Sequence, residues 1–454
     1  MTDPLALAEL LVALIATPLL MFPGRYTVIA LILVAVSWLA RVVVGRRTLR
    51  HSPSDWPLLV LLLATLVSLY PSVDLSLSHP KFYGLILGYY VFSAIVEHSR
   101  LGFRVALLTA IMVGGGVGIA ALGLVGADWF GRKLPIIGTV YDRLPHLITS
   151  VSTSFGTTES GFHPNEVAGT LALIFPVALG VALLGGRRFR WLTTASAVAM
   201  ALVLLLTLSR SAILGATVAG VLLVVLRWRR FWVAIPAGVA GLIVVTLVFG
   251  SARVLDLLLA LQNSSDLSSK SVSRVEIWDR AWLMIQDFPL TGIGLNTFPI
   301  VADKLYPFIV NGPDARLPHA HNIFLQTAVD LGIPGLAAFV ALLAVIAVQL
   351  SRAWLARPGW ERGLVAGLGA GLLAHVIFGL TDTVTLGAKP GLLLWVVLGT
   401  ALGLGHCEPA EAAINHQDLA GGRPNLASTM GLGWAQRGQA ALFATACLVG
   451  IFLF

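Results

Sequence analysis

Charged side chains are scarce in this chain. Asp, Glu, Lys and Arg together make up 11% of its 454 residues, whereas a soluble domain usually has about 25%. Hydrophobic residues make up 57%, and long apolar stretches recur from one end to the other. This composition argues against a water-soluble enzyme. It also excludes a disordered chain or a coiled coil, because both need many polar residues.

Cysteine is almost absent as well. Cys407 and Cys447 are too few for a disulfide framework or a cysteine-based metal cluster. The formal net charge of +8 could indicate nucleic-acid binding, but the placement of the arginines between apolar segments explains it better, so no nucleic-acid partner is expected. No small-residue cleavage site follows the first apolar stretch, so residues 5–22 are predicted as a retained span rather than a signal peptide.

About twelve apolar segments predict an all-α polytopic integral membrane protein, since a spanning helix needs about 20 mostly apolar residues. Residues 1–454 are expected to form a single membrane domain. The predicted spans are residues 5–22, 26–44, 56–70, 82–97, 104–126, 166–186, 191–208, 211–226, 231–250, 335–351, 363–381 and 390–405. Residues 438–454 are a weaker stretch, either a thirteenth span or a re-entrant tail.

Lys and Arg predict the orientation, because short cytoplasmic loops carry an excess of them. Seventeen arginines lie in one alternating set of connections. The opposite short turns hold only four basic residues, Arg25, Lys81, Arg210 and Lys389. We therefore expect the N-terminus and the tail region 406–437 in the cytoplasm. The first long loop, 127–165, and the large loop, 251–334, are expected in the periplasm of a bacterium.

Glycines spaced four residues apart, Gly363, Gly367 and Gly371, lie on one face of a predicted span. Small residues at this spacing are typical of close helix packing in membranes. His375 follows in the same span, where an ionisable group is either functional or bonded to a neighbouring helix. Beside the packing glycines, an interhelical hydrogen bond is the favoured interpretation.

Arg210 lies between two strongly apolar spans, in Ser209-Arg210-Ser211. An arginine at that depth costs a few kcal/mol unless it snorkels or is paired. Snorkelling at a span end is one interpretation, and an anion partner is the other, because basic residues are scarce in the outer turns. Lys81 is a further candidate anion partner, or simply an interfacial lysine.

Residues 273–289 predict an amphipathic helix at the membrane surface. Ser273 and Glu276 form a predicted capping box, and Pro289 supplies a stop. The apolar face consists of Ile277, Trp278, Ala281, Met284 and Ile285. Arg274 falls in the predicted first turn, where its charge beside free backbone N–H groups suits a phosphate. The alternative is an ordinary surface arginine.

Two histidines one residue apart, His319 and His321, precede a short helical stretch that Gly332 and Pro334 are expected to end. They could ligate a metal ion, but no carboxylate or third histidine is close in sequence, so no metal site is predicted. A histidine at a helix start is instead a good proton acceptor.

Arg210, Arg274 and His321 come from separate segments but share the predicted outer side. Two cations and one base fit a diphosphate leaving group and a hydroxyl nucleophile. The chain contains no Asp-Asp or Asp-x-Asp, so a metal-dependent glycosyltransferase site is not supported.

The sequence resembles the bacterial O-antigen ligase and polymerase superfamily, and is most similar to its ligases. The resemblance rests on residues 207–215 (TLSRSAILG), 273–282 (SRVEIWDRAW), 289–294 (PLTGIG) and 319–325 (HAHNIFL). His321-Asn322, nine residues, Gly332, two residues and Gly335 also match the spacing of the ligases. The tail from His406 onward has no counterpart.

The resemblance implies a glycosyltransferase C-like fold with a periplasmic cap, in the bacterial inner membrane. It implies transfer of O-antigen from undecaprenyl diphosphate to a hydroxyl of lipid A–core, with no metal or other cofactor. The donor, the acceptor and membrane lipids would be the partners. The general base would be His321, supported by His319 and Asn322, and Arg210 and Arg274 would contact the diphosphate, with Lys81 as a further candidate.

Two kinds of alternative stay open. An O-antigen polymerase or a protein O-oligosaccharyltransferase shares these motifs. A transporter or flippase of lipid-linked glycan belongs to another class, in which the arginines would guide an anion.

Overall fold

The computed structural model shows a bundle of apolar helices. It describes residues 4–44, 52–99, 102–129, 140, 143–144, 151–152, 158–159, 162–186, 189–233, 267–310, 312 and 317–405. Most of the predicted loop 127–165, the predicted span 231–250 beyond residue 233, the first part of the loop 251–334 and all of 406–454 lie outside these residues. What the sequence predicts for those segments therefore stays a prediction.

The helices follow the apolar stretches of the sequence. They are α1 (Pro4–Met21), α2 (Thr27–Val44), α3 (Asp55–Val67), α4 (Leu75–His98), α5 (Gly102–Gly126), α6 (Pro164–Leu184), α7 (Arg190–Leu206), α8 (Arg210–Arg227), α9 (Leu267–Asp287), α10 (Phe298–Leu305), α11 (Ile323–Ala356), α12 (Gly359–Gly379) and α13 (Leu392–Gly405). Short 3-10 turns occupy Arg229–Val233 and Lys389–Gly391. A two-residue strand, β1 (Val151–Ser152), pairs antiparallel with β2 (Thr158–Glu159).

Five of the described helices are long and apolar enough to cross a membrane, namely α5 from Val105, α6, α8, α11 and α12. Several others are apolar but shorter. The protein is therefore polytopic and helical, while twelve spans remain a prediction. Large apolar side chains such as Leu14, Leu202 and Leu355 are exposed on the outside of the bundle, where a lipid environment would stabilise them.

The predicted glycine face is confirmed as the contact between α6 and α12. A Cβ on Gly371 would lie 2.2 Å from the carbonyl oxygen of Leu173, and one on Gly363 would lie 2.8 Å from that of Gly180. Glycine is therefore required for the two backbones to approach this closely. The order of these contacts makes the helices antiparallel, so the start of α6 and the end of α12 lie at one end of the bundle.

His375 in α12 does not make the expected interhelical bond. Its side chain is buried, and neither ring nitrogen has a hydrogen-bond partner among the described residues. The prediction of an interhelical hydrogen bond was wrong, because the packed neighbours present no polar atom to the ring.

The predicted break at Gly332 is confirmed as a kink inside α11. Gly332 has φ 71° and ψ 179°, and a Cβ at this position would lie only 2.6 Å from the carbonyl group of Leu290. Ile333 N then donates to Pro289 O, and Ile293 N donates to Val329 O. At the kink, these two hydrogen bonds thus attach the loop after α9 to the polar first part of α11.

Helix α9 buries the predicted apolar face, with Ile277, Ala281 and Met284 packed into a second hydrophobic cluster. It ends at Asp287, two residues before the predicted stop. It begins at Leu267, however, so the capping box at Ser273 was wrong, and Arg274 lies inside the helix rather than in its first turn. Helical residues continue upstream because the Leu267–Ser273 stretch contains no breaker.

Candidate functional site

The two histidines lie in a tight turn immediately before α11. Asn322 is the N-cap of this helix, and its side chain accepts hydrogen bonds from Phe324 N at 2.9 Å and Leu325 N at 3.1 Å. His319 Nδ1 accepts a hydrogen bond from His321 N at 3.2 Å, and the two ring centroids are 4.3 Å apart. His321 has φ 47°, an uncommon backbone conformation for a non-glycine residue. The cap and the Nδ1 bond therefore hold a strained turn that fixes both rings.

Asp382 is the acidic partner of His321. It follows the end of α12 and is buried at 3% exposure, and its Oδ1 lies 3.2 Å from His321 Nδ1. Thr383 N donates to the same oxygen at 2.9 Å. Asn165 Nδ2, from the first turn of α6, donates to Oδ2 at 2.6 Å. Two segments far apart in sequence, which carry His321 and Asn165, therefore converge on the carboxylate of Asp382.

The electrostatics of this cluster keep Asp382 ionised and His319 neutral. Burial alone would raise the pKa of Asp382, but the hydrogen bond to His321 and the nearby histidines bring it below its ordinary value. Burial lowers the pKa of His319 to about 3, and the charges of His321 and Lys81 act in the same direction. His319 is therefore an uncharged neighbour of His321 at neutral pH.

Arg274 approaches the same carboxylate from α9. Its Nη2 lies 4.0 Å from Asp382 Oδ2, and its side chain is 38% exposed. At this distance the contact is a loose ion pair, which leaves guanidinium N–H groups available to another anion. His321, whose side chain is 20% exposed, shares Asp382 with Arg274, so the structure brings these two predicted residues together.

Arg210 is the first residue of α8 and is exposed, with no ion pair to any described residue. Gly215 packs against Ala374 of α12, where a Cβ would lie 2.6 Å from the carbonyl oxygen. Helix α8 runs antiparallel to α12. Arg210 lies five residues before Gly215, and Gly379 lies five residues after Ala374, so each is about 7.5 Å from this contact and both are on the same side of it. Arg210 is thus at the Asp382 end of the bundle, although it touches neither Asp382 nor His321.

Lys81 in α4 has a different partner. Its Nζ lies 3.0 Å from Asp330 Oδ2, and both side chains are buried, at 8% and 7% exposure. Lys81 therefore belongs to a buried ion pair and is not an interfacial lysine. Its assignment to the diphosphate stays a prediction, which the buried pair does not favour.

One described group of side chains could hold a metal ion. The ligand atoms of His319, His321 and Asp382 lie within 4.8 Å of one another, so folding supplies the carboxylate that the sequence around the histidines lacks. A neutral His319 suits a metal ligand. The guanidinium of Arg274 beside Asp382 opposes it, because a second positive charge would lie close to the dication.

Sequence reasoning missed Asp382 and Asn165. Asp382 lies directly after a predicted span, and Asn165 directly before one, at ends that the topology places on one side. The shared side is a usable signal, but the sequence contains nothing that pairs Asp382 with His321, which lies 61 positions earlier.

Comparison with known proteins finds a match in the part of the chain that carries the resemblance. A family model described as O-Antigen ligase matches residues 195–340. The matched segment includes Arg210, Arg274 and His321, whereas Lys81 and Asp382 lie outside it. No curated protein matches the chain. The family match confirms the resemblance to the O-antigen ligase and polymerase superfamily and supports a membrane enzyme of that type.

Proposed function

We propose that the protein transfers O-antigen from undecaprenyl diphosphate to a hydroxyl of lipid A–core oligosaccharide, without a metal ion. The observation that supports this best is the shared carboxylate of Asp382, which lies 3.2 Å from His321 Nδ1 and 4.0 Å from Arg274 Nη2. A base and an anion-binding group are therefore neighbours. Attack of a hydroxyl on a diphosphate-linked sugar needs both.

His321 acts as the general base in this proposal. A hydrogen bond from Nδ1–H to Asp382 leaves Nε2 as the unprotonated nitrogen, and Nε2 has no hydrogen-bond partner among the described residues. Nε2 takes the proton of the acceptor hydroxyl while the ionised Asp382 stabilises the imidazolium that forms. This is the division of labour seen in other histidine–carboxylate pairs.

The arginines assist the departure of the leaving group. The acceptor oxygen forms a bond to the anomeric carbon as the bond from that carbon to the diphosphate oxygen breaks, and undecaprenyl diphosphate leaves with the electron pair. Arg274 and Arg210 offset the negative charge that develops on the phosphate oxygens. The acceptor proton stays on His321 until it passes to solvent.

A direct test uses the purified full-length protein in detergent with a lipid-linked glycan donor. Three acceptors are compared: lipid A–core, a second lipid-linked glycan and a pilin-like protein. We expect product on lipid A–core, with no change on addition of EDTA. Product on the second or third acceptor only would make the protein a polymerase or an oligosaccharyltransferase. Loss of activity with EDTA and recovery with Mg²⁺ would contradict the metal-free step.

A transporter or flippase of lipid-linked glycan is the candidate from another class. It would translocate the donor and yield no product with any acceptor. The His321–Asp382 pair favours transfer, because guiding an anion requires cations but no base.

The site is proposed to face the periplasm from the bacterial inner membrane, with the loop 251–334 as its cap. The supporting observation is the uneven distribution of arginines among the short connections. In a variant lacking Cys407 and Cys447, an impermeant thiol reagent should label Ser265→Cys and spare Arg188→Cys. The vesicles are intact and right-side-out, so that the reagent reaches only the periplasmic face of the inner membrane. The opposite labelling pattern would reverse the orientation and place the site in the cytoplasm.

A further inference from the structure

A buried polar network leads from Lys81 to the histidine turn. Asp330 lies in the first part of α11 and pairs with Lys81 through Oδ2 at 3.0 Å. Its other oxygen, Oδ1, accepts hydrogen bonds from Gln326 Nε2 at 2.9 Å and from Asn296 N at 3.3 Å. Both carboxylate oxygens are therefore occupied by protein groups, and the charge of Lys81 is neutralised inside the fold.

Gln326 connects this network to the site. It is 1% exposed, and its Oε1 accepts a hydrogen bond from Ala320 N at 2.7 Å. Ala320 is the residue between His319 and His321. Because the bond to Asp330 fixes which end of the Gln326 amide faces the turn, the orientation of Asp330 determines whether Ala320 N is held.

We propose that Lys81, Asp330 and Gln326 form a positioning relay that holds the strained His319–His321 turn in its catalytic geometry. Lys81 acts through Asp330 and Gln326 on the backbone of the turn and does not bind the donor diphosphate. The inference rests on the proposed function, since the turn matters for rate only if His321 is the base.

The relay is located where such a support is needed. His321 has φ 47°, so the turn relaxes to another conformation unless its backbone groups are held. On one side of the turn, Asn322 caps α11 and its Nδ2 donates to Leu380 O at 3.0 Å. On the other side, Gln326 holds Ala320 N. Loss of either support displaces the ring of His321 relative to Asp382 and the acceptor.

The relay also joins segments that must stay together around the site. Asn296 Nδ2 donates to Leu77 O at 3.0 Å, and Ser78 Oγ donates to Leu295 O at 2.7 Å. The loop after α9 is thereby fastened to α4 close to Lys81. Since Arg274 is carried by α9, the same fastening restrains the position of the arginine that approaches Asp382.

The first test removes the link between the relay and the turn. Gln326→Leu retains the bulk of the side chain but makes no hydrogen bond to Ala320 N or Asp330. We expect kcat to fall by about 10²-fold, because a displacement of about 1 Å at a reacting group has an effect of that size. The KM and the directly measured Kd for the lipid-linked donor should change by less than about twofold. Gln349→Leu is the matched control, since Gln349 is buried in the second part of α11 with Oε1 unpartnered among the described residues.

The second test distinguishes the relay from a phosphate contact. Lys81→Met leaves Asp330 without its counter-ion, and we expect kcat to fall while donor Kd is unchanged. The double variant Lys81→Met/Asp330→Asn removes the stranded charge and keeps an acceptor for Gln326 Nε2, so it should recover at least about tenfold in kcat over Lys81→Met. Lys389→Met is the control for loss of a lysine, because Lys389 lies over the ring of Phe22 and outside the relay.

The outcomes separate the relay from the reaction it serves. A weakened donor Kd in Lys81→Met that persists in the double variant would overturn the relay and assign Lys81 to the diphosphate. Wild-type kcat in a folded Gln326→Leu protein, with His321→Ala inactive, would also overturn it while leaving the proposed function intact. A wild-type protein without transferase product, or an active His321→Ala protein, would overturn both. If Gln326→Leu does not fold, the Lys81 pair of variants decides the question alone.

Discussion

Two buried carboxylates lie on either side of the histidine turn, and their surroundings differ. Asp330 faces Lys81, Gln326 and the backbone of Asn296, and all of these partners are fixed within the fold. Asp382 also accepts fixed hydrogen bonds, from Asn165 and Thr383. The side chains of its remaining partners, His321 and Arg274, are 20% and 38% exposed. A substrate can therefore reach the partners of this carboxylate.

The difference shows how one polar region can serve both structure and chemistry. A carboxylate whose counter-ion is buried beside it resists rearrangement, because breaking a buried pair leaves an uncompensated charge. A carboxylate paired with a partly exposed imidazole and a loosely placed guanidinium can exchange those contacts for substrate. We therefore expect substitutions at Asp330 to lower stability and also, through the histidine turn, to lower turnover to a lesser degree, whereas substitutions at Asp382 should affect mainly turnover.

Replacement of the two carboxylates by amides tests this contrast most strongly. Asp382→Asn should lower kcat by about 10²–10⁴-fold, because the Asn amide cannot stabilise the imidazolium or fix the Nδ1–H tautomer of His321. Asp330→Asn should lower the free energy of unfolding by about 3 kcal/mol by stranding Lys81, with a smaller loss of kcat. Steady-state kinetics and thermal unfolding in detergent measure both effects. Equal kinetic losses in the two variants would remove the distinction.

The arginines are expected to act on the exposed side of Asp382. Arg274→Ala and Arg210→Ala should each lower kcat/KM by about 10²–10³-fold, which is the effect of removing one donor to a developing negative charge. Lysine at either position should recover only part of the loss, because it carries the charge without the bidentate geometry. Arg280→Ala in the same helix as Arg274 is the control, since Arg280 pairs with Asp279 at 3.6 Å. Full activity in either Ala variant would exclude that arginine from the diphosphate site.

His319 gives the smallest effect on rate, and we expect its contribution to be clearest in stability. Its pKa is lowered from 6.5 to about 3 in the folded protein. Between pH 6.5 and 3, His319 therefore binds a proton in the unfolded chain but not in the folded protein. The stability that His319 contributes is complete above pH 6.5 and declines as the pH falls towards 3. Between pH 6.5 and 5, wild type should lose about 1 kcal/mol per pH unit relative to His319→Gln. Asp382 does not interfere, because its lowered pKa places its titration below this window. Parallel stability curves for the two proteins would contradict the assignment.

Sequence patterns predicted the bundle better than they predicted the site. The apolar helices of the described residues, the glycine face of α12 and the break at Gly332 each follow from local spacing, and the structure confirms them. The predicted start of α9 was wrong. Ser273 and Glu276 match the sequence pattern of a capping box, but the helix begins at Leu267 and passes through both residues without interruption. His375 was assigned a bond that its packed neighbours do not provide.

The site depends on contacts between distant segments, and for this reason much of it escaped prediction. His321 and Arg274 could be singled out from their own surroundings, but their common partner, Asp382, comes from the end of another helix. Lys81 illustrates the converse. Its local context suggested a free cation, whereas the fold brings Asp330 to it from 249 positions away.

A single-turnover measurement on His321→Ala decides whether His321 is the base of a glycosyl transfer. With donor bound to the purified protein and lipid A–core added, the transfer rate should fall by about 10²–10⁴-fold, while donor affinity stays at the wild-type level. His375→Ala, which removes a buried histidine outside the site, should transfer at close to the wild-type rate. A folded His321→Ala protein that retains more than about a tenth of the wild-type rate, well above the range expected for loss of a base, would show that His321 is not the base.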